Sequence, residues 1–265
     1  IIDSVVNPPA ALILDTSDDS GVSGTDRITN VSSNLTLTSK AESSSLVSVF
    51  EGSTLLGAAT ADTYGVVTLD VNLATGTHTL AAQAKDVAGN VSVLSASSTF
   101  IIDQTAPIVL DTDSVLPASN MVYTPGTTLN FGLKFSEPVV ASVNSALSLN
   151  WVGLPNPVNA LLTSTSSIGG VTQLTYTYTV QSGDGSSSGV SVQALTGVKD
   201  LAGNVLTAVP LSSGPSKTAL AAIKMDTAPV LNTTQLLVGS NPATLNTLTT
   251  VLEDQTTPSV VSVDL

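Results

Sequence analysis

Apolar residues along this chain recur at every second position, in short runs broken by Gly, Asn, Asp, Ser and Pro. Such alternation predicts half-buried strands, and the breaks predict turns. Leu35 and Leu37 share a face, as do Val47 and Val49. Glu51-Gly52 and Asp62-Thr63-Tyr64-Gly65 read as turns with solvated acids, and Leu55-Leu56 lies between them. Val67, Leu69 and Val71 alternate next, followed by His78, Leu80, Ala82 and Ala84. Val91 and Val93 then lead to Phe100-Ile101-Ile102.

The later part of the chain has the same character, with longer connections. Leu129, Phe131, Leu133 and Phe135 alternate as a central core strand would. Leu174, Tyr176, Tyr178 and Val180 form a second run, and Val190, Val192 and Ala194 a third. Helix signals are nearly absent. Two motifs occur twice. Ile101-Ile102-Asp103-Gln104-Thr105-Ala106-Pro107 recurs as Lys224-Met225-Asp226-Thr227-Ala228-Pro229, with Ile1-Ile2-Asp3 a looser third copy. Asp86-Val87-Ala88-Gly89-Asn90 recurs as Asp200-Leu201-Ala202-Gly203-Asn204. About seven short strands per roughly 100 residues is the size of an immunoglobulin-like sandwich. The reading is all-β: tandem immunoglobulin-like sandwiches over 1–102 and 103–225. Residues 226–265 would be the start of a further module or a donated strand.

Composition narrows the function. There are 20 Asp and Glu against 7 Lys and Arg, a net charge of −13. Phosphate recognition needs a basic patch, so nucleic acid is excluded as a partner. Without cysteine, disulfides and thiolate metal sites are excluded too. No apolar run reaches the length of a membrane-spanning helix. The chain shows no signal peptide and opens mid-pattern, as a piece of a longer protein would.

The acids have predictable places. In a seven-stranded sandwich the B–C loop, the F–G loop and the entering linker share one end. Asp3, Glu42 and Asp86 should therefore converge in the first module, and Asp103, Glu137 and Asp200 in the second. Converging carboxylates repel unless a cation sits among them, and hard oxygen ligands without His or Cys select Ca²⁺. The side chains of Asn90 and Asn204, backbone carbonyls and water would complete the shells. Asp226 occupies the Asp103 slot at the next boundary. A further cluster of Asp15, Asp18, Asp19 and Asp26 lies in the A–B connection, at the end facing the next linker. Asp111 and Asp113 are its weaker counterpart in the second module.

Asp15-Thr16-Ser17-Asp18-Asp19-Ser20-Gly21, Ile28-Thr29-Asn30, Gly76-Thr77-His78-Thr79-Leu80 and Asp86–Asn90 resemble bacterial Ig-like repeats. Those repeats fill giant type I-secreted surface adhesins of Gram-negative bacteria. Phe135-Ser136-Glu137-Pro138-Val139, Tyr176–Val180 and Val198–Asn204 are similar to a sister group of Ig-like modules. Val251-Leu252-Glu253-Asp254 resembles the entrance to a cadherin-like repeat. The resemblance implies a secreted, cell-surface stalk stiffened by Ca²⁺ at its junctions, serving adhesion or biofilm attachment through other domains. Its partners would be neighbouring Ig-like modules. Asp3 departs from the pattern, being followed by Ser4-Val5-Val6-Asn7 rather than Thr-Ala-Pro.

Two other readings follow from the residues. Residues 226–265, with Ser259-Val260-Val261-Ser262-Val263, could pair with an identical subunit's sheet and build a filament or surface layer. An exposed Trp151 could stack on a sugar, whereas a buried ring would serve packing. An enzyme is not expected. His78, the one histidine, starts a strand with no nucleophile motif near it.

Overall fold

The computed structural model describes residues 3–151, 156–168, 171–182, 184, 187–207 and 210–226. The first part holds β1 (Ile13–Leu14), β2 (Ile28–Thr29), β3 (Leu35–Lys40), β4 (Leu46–Glu51), β5 (Thr54–Thr60), β6 (Val66–Val71), β7 (Gly76–Lys85) and β8 (Ser98–Ile102). They form two sheets, β1-β3-β6 and β2-β8-β7-β4-β5. Between the sheets lie Leu35, Leu37, Val47, Val49, Leu80, Ala82, Phe100 and Ile102, all buried. The alternating positions thus become one sandwich core, because period 2 sends every second side chain to the same face. Val91 and Val93 do not continue this pattern, and both are exposed. The segment after β7 points its serines inward instead. The Ser92 and Ser95 hydroxyls accept the Ala84 and Ala82 amides.

The second part contains β9 (Val122–Tyr123), β10 (Thr128–Lys134), β11 (Val139–Trp151), β12 (Val158–Ile168), β13 (Val171–Thr179), β14 (Ser187–Ser188), β15 (Val190–Asp200), helix α1 (Gly214–Ala221) and β16 (Lys224–Met225). Its sheets are β10-β13-β12-β11-β15 and β14-β16-β9. Leu129, Phe131, Leu133, Phe135, Leu174 and Tyr176 are buried in its core, as the alternation predicts. Ala194 is not the third core position of β15. The register slips between Ser148 and Leu149, which face Ala194 and Val192, so Gln193 is an extra residue. That bulge turns Leu195 inward. One pairing occurs in both sandwiches: β2 runs parallel to β8, and β9 runs parallel to β16.

The described residues all belong to one compact unit, Ile1–Ala228, set apart from residues 229–265. The strand-donation reading of the tail falls almost wholly in the latter, outside the described residues.

Candidate metal centre

Asp103 follows the last strand of the first sandwich, Glu137 lies between β10 and β11, and Asp200 closes β15. One carboxylate oxygen from each lies within 4.8 Å of those of the other two. Asp103 is held from both sides. Its N–H donates to the Thr29 carbonyl at 2.9 Å, and its own carbonyl accepts the Asn204 amide at 2.8 Å. Asp200 is buried, and its Oδ1 accepts the N–H groups of Gly203 and Asn204 at 2.7 and 2.8 Å. Asn204 Nδ2 donates to the second oxygen at 2.7 Å. Asn204 therefore holds the aspartate in place; its own Oδ1 faces Asn30 Nδ2 at 3.3 Å.

Among the described residues, no Lys or Arg nitrogen lies within 4.0 Å of these carboxylates. Burial, then the charges of Asp103 and Asp200 and a hydrogen bond with Asp103, push the Glu137 carboxyl up to about 7. A proton thus relieves the repulsion when no cation does. The donor set consists of hard oxygens and suits a divalent cation of the Ca²⁺ kind.

The companion sites differ. Asp3, Glu42 and Asp86 do not come within this reach of one another. Asp3 is exposed and accepts Val5 N–H at 3.4 Å, and Glu42 is exposed. Burial alone would raise the Asp86 carboxyl. The Asn90 side chain and the Asn90, Gly89 and Ala88 amides outweigh that and hold it below its ordinary value. Asn90 plays the holding part that Asn204 plays in the second sandwich.

The A–B cluster is likewise not a cage. Asp15 accepts Ser17 N–H, Asp18 accepts Thr36 N–H, Asp19 accepts Arg27 N–H and Asp26 accepts Ile28 N–H. Asp15, Asp19 and Asp26 shape their own loop by tying down backbone amides, and Asp18 ties that loop to β3. Asp111 is the first residue of a 3₁₀ turn with Asp113, beside the start of α1. Asp226 donates its N–H to the Tyr123 carbonyl at 3.0 Å, and the residues after it lie outside the described chain.

The A–B loop does face the junction, and it forms a direct latch that the residue pattern did not announce. Val22 N–H donates to the Leu201 carbonyl at 3.1 Å. Ser20 Oγ donates to the Ala202 carbonyl at 2.7 Å, and Lys199 Nζ donates to the Gly21 carbonyl at 3.0 Å. Gly21 has φ +97°, and a Cβ there would overlap the Leu201 carbonyl oxygen. The available signal was the Ser20-Gly21 pair at a turn, but its partner lies far along the chain.

Residues 5–104 match the family model of the bacterial Ig-like domain. No curated protein matches the chain. Similar solved structures include Clostridium thermocellum CbhA fibronectin(III)-like modules, at 14% identity and TM-score 0.32, covering 81% of this chain and 92% of that one. A tetra-tandem repeat in the extending region of a large adhesion protein is 18% identical with TM-score 0.27. That alignment covers 76% of this chain and 47% of the other.

The family match makes the first sandwich an Ig-like module, and three other residues that could suggest function take structural places instead. His78 sets Nδ1 2.8 Å from Glu51 Oε1 and Nε2 2.8 Å from the Ala74 carbonyl. Glu51, at the end of β4, is therefore a hydrogen-bond partner of His78. Trp151, in the second sandwich, is fully buried, with its ring 6.2 Å from that of Tyr178. A buried ring cannot stack on a sugar, so the carbohydrate-platform reading is overturned. Among the described residues no helix is long and apolar enough to cross a membrane.

Proposed function

We propose that this chain is a non-catalytic spacer segment of a bacterial surface protein, whose junction is stiffened by Ca²⁺. It would carry distal adhesive domains away from the cell. The observation that carries this reading is the convergence of Asp103, Glu137 and Asp200 with no cationic side chain among them. Each pair of ionised carboxylates at about this separation repels by on the order of 3 kcal/mol near a protein surface. Bound Ca²⁺ would supply the charge that offsets this repulsion. Asp103 sits on the linker, whereas Glu137 sits on a loop and Asp200 at the end of β15 in the second sandwich. Since Asp103 N–H is bonded to Thr29 of the first sandwich, fixing its carboxylate fixes both sides. A ligand that binds only the ordered junction stabilises it by mass action. The bacterial Ig-like match over residues 5–104 supports the module type and a surface location.

The test is a melting and small-angle scattering series in Ca²⁺ and in EDTA. EDTA should lower the melting temperature and broaden the distribution of distances between the sandwiches. Asp200→Asn should reproduce the EDTA result in Ca²⁺. A melting temperature and scattering profile indifferent to both would overturn the reading.

A further inference from the structure

The loop that forms the latch in the second sandwich has a twin in the first. Lys85-Asp86-Val87-Ala88-Gly89-Asn90 matches Lys199-Asp200-Leu201-Ala202-Gly203-Asn204 at five of six positions. The two are built alike. Asp86 N–H donates to the Asn90 carbonyl at 3.0 Å, and Asp200 N–H donates to the Asn204 carbonyl at 3.0 Å. Asn90 N–H and Asn204 N–H each lie 2.8 Å from Oδ1 of their aspartate. Gly89 has φ +95° and Gly203 has φ +100°. Lys85 bridges to Val91 as Lys199 bridges to Val205.

Their surroundings differ. Ala202 is 1% exposed beneath the Ser20–Val22 loop, whereas Ala88 is exposed and Val87 is 82% exposed. A Cβ on Gly203 would come 3.0 Å from Gly21 Cα, while one on Gly89 would meet nothing within 4 Å. Lys199 Nζ reaches a glycine carbonyl, and Lys85 is exposed. The same surface is therefore covered once and bare once.

We propose that Lys85–Asn90 is a second docking loop, and that it receives the Ser-Gly-Val loop of another Ig-like module. The chemistry asked of that partner is read from the covered copy. It needs a hydroxyl to donate to the Ala88 carbonyl and an N–H for the Val87 carbonyl. It also needs a glycine carbonyl for Lys85 Nζ and a carboxamide beside Asn90. A glycine is required at the point of closest approach, where the covered loop leaves no room for Cβ. The proposal rests on the reading of the chain as stacked modules but not on the cation. The four contacts of the covered loop involve no carboxylate oxygen.

The test is a chain in which residues 1–100 are placed ahead of residues 1–265, so that Ile1-Ile2-Asp3 replaces Ile101-Ile102-Asp103. The natural sequence has no cysteine, so Tyr64→Cys in both copies of the first module gives two clean spin-label sites on an exposed residue. The expected result is one narrow inter-label distance, broadened by Ala88→Arg in the second copy. In the natural chain Ala88→Arg should leave the melting temperature unchanged, which separates blocked docking from failed folding. A broad distance with Ala88 intact, in Ca²⁺ and in EDTA alike, would overturn the proposal. That outcome would leave the melting test of the 103/137/200 junction standing. A narrow distance that persists in EDTA would support the latch independently of the ion.

Discussion

Without a cation Glu137 keeps its proton up to about pH 7, because burial and the charges of Asp103 and Asp200 disfavour its carboxylate. In the unfolded chain a Glu loses its proton near pH 4.3. Between these two values the unfolded state binds fewer protons than the folded one, so stability must fall as pH rises. Unfolding free energies from urea titrations in EDTA should therefore drop from pH 5 to pH 8, by at most about 3 kcal/mol, with solvent screening of the half-buried group reducing this. Glu137→Gln should flatten the slope and make the cation-free chain more stable at pH 8. At this scale much was legible. Asp103, Glu137 and Asp200 follow from two repeated motifs and a strand order. The holding role of Asn204 was not, because it depends on which way a carboxamide points.

Strand positions were legible wherever alternation is unbroken, as in β3, β7 and β10. They failed where an extra residue reverses the faces, as at Gln193. β11, β12 and α1 are not among the elements that the alternation predicts. The start of α1 carried a signal in Pro215, since Pro suits the first turn of a helix. What anchors that helix is remote in sequence. Ser216 Oγ donates to the Asp111 carbonyl at 2.9 Å, and Gly214, at φ +66°, leaves room for the Asp111 carboxylate. A Cβ on Gly214 would come 2.6 Å from Asp111 Oδ2. Gly214→Ala should thus combine left-handed strain with a clash and cost about 1–3 kcal/mol of stability in chemical denaturation. Asp111→Asn in the same background should recover little, because both the strain and the crowding remain.

For the whole molecule, the question is whether two sandwiches with separate cores behave as one body. Residues 1–228 form a single compact unit around both cores. The Ser20–Val22 latch and the carboxylate trio lie side by side at the junction, joined through Asn204. Gly21→Ala should loosen this junction, because a Cβ overlaps the Leu201 carbonyl oxygen and φ is +97°. Calorimetry in EDTA should then resolve two transitions where the parent shows closer coupling; coincident transitions in the variant would count against the latch. The sequence by itself determined an all-β chain of repeated sandwiches and the acids that would meet between them. Alternation with period 2 fixes faces, and a repeated motif fixes equivalent places. Only the tertiary structure decided that one trio converges and the other does not, and that one Asp-x-Ala-Gly-Asn loop is covered and its twin bare. Convergence needs the linker aspartate to be fixed by contacts from both sides. Asp103 has them, from Thr29 and Asn204, and such contacts depend on distances through space that no local pattern encodes.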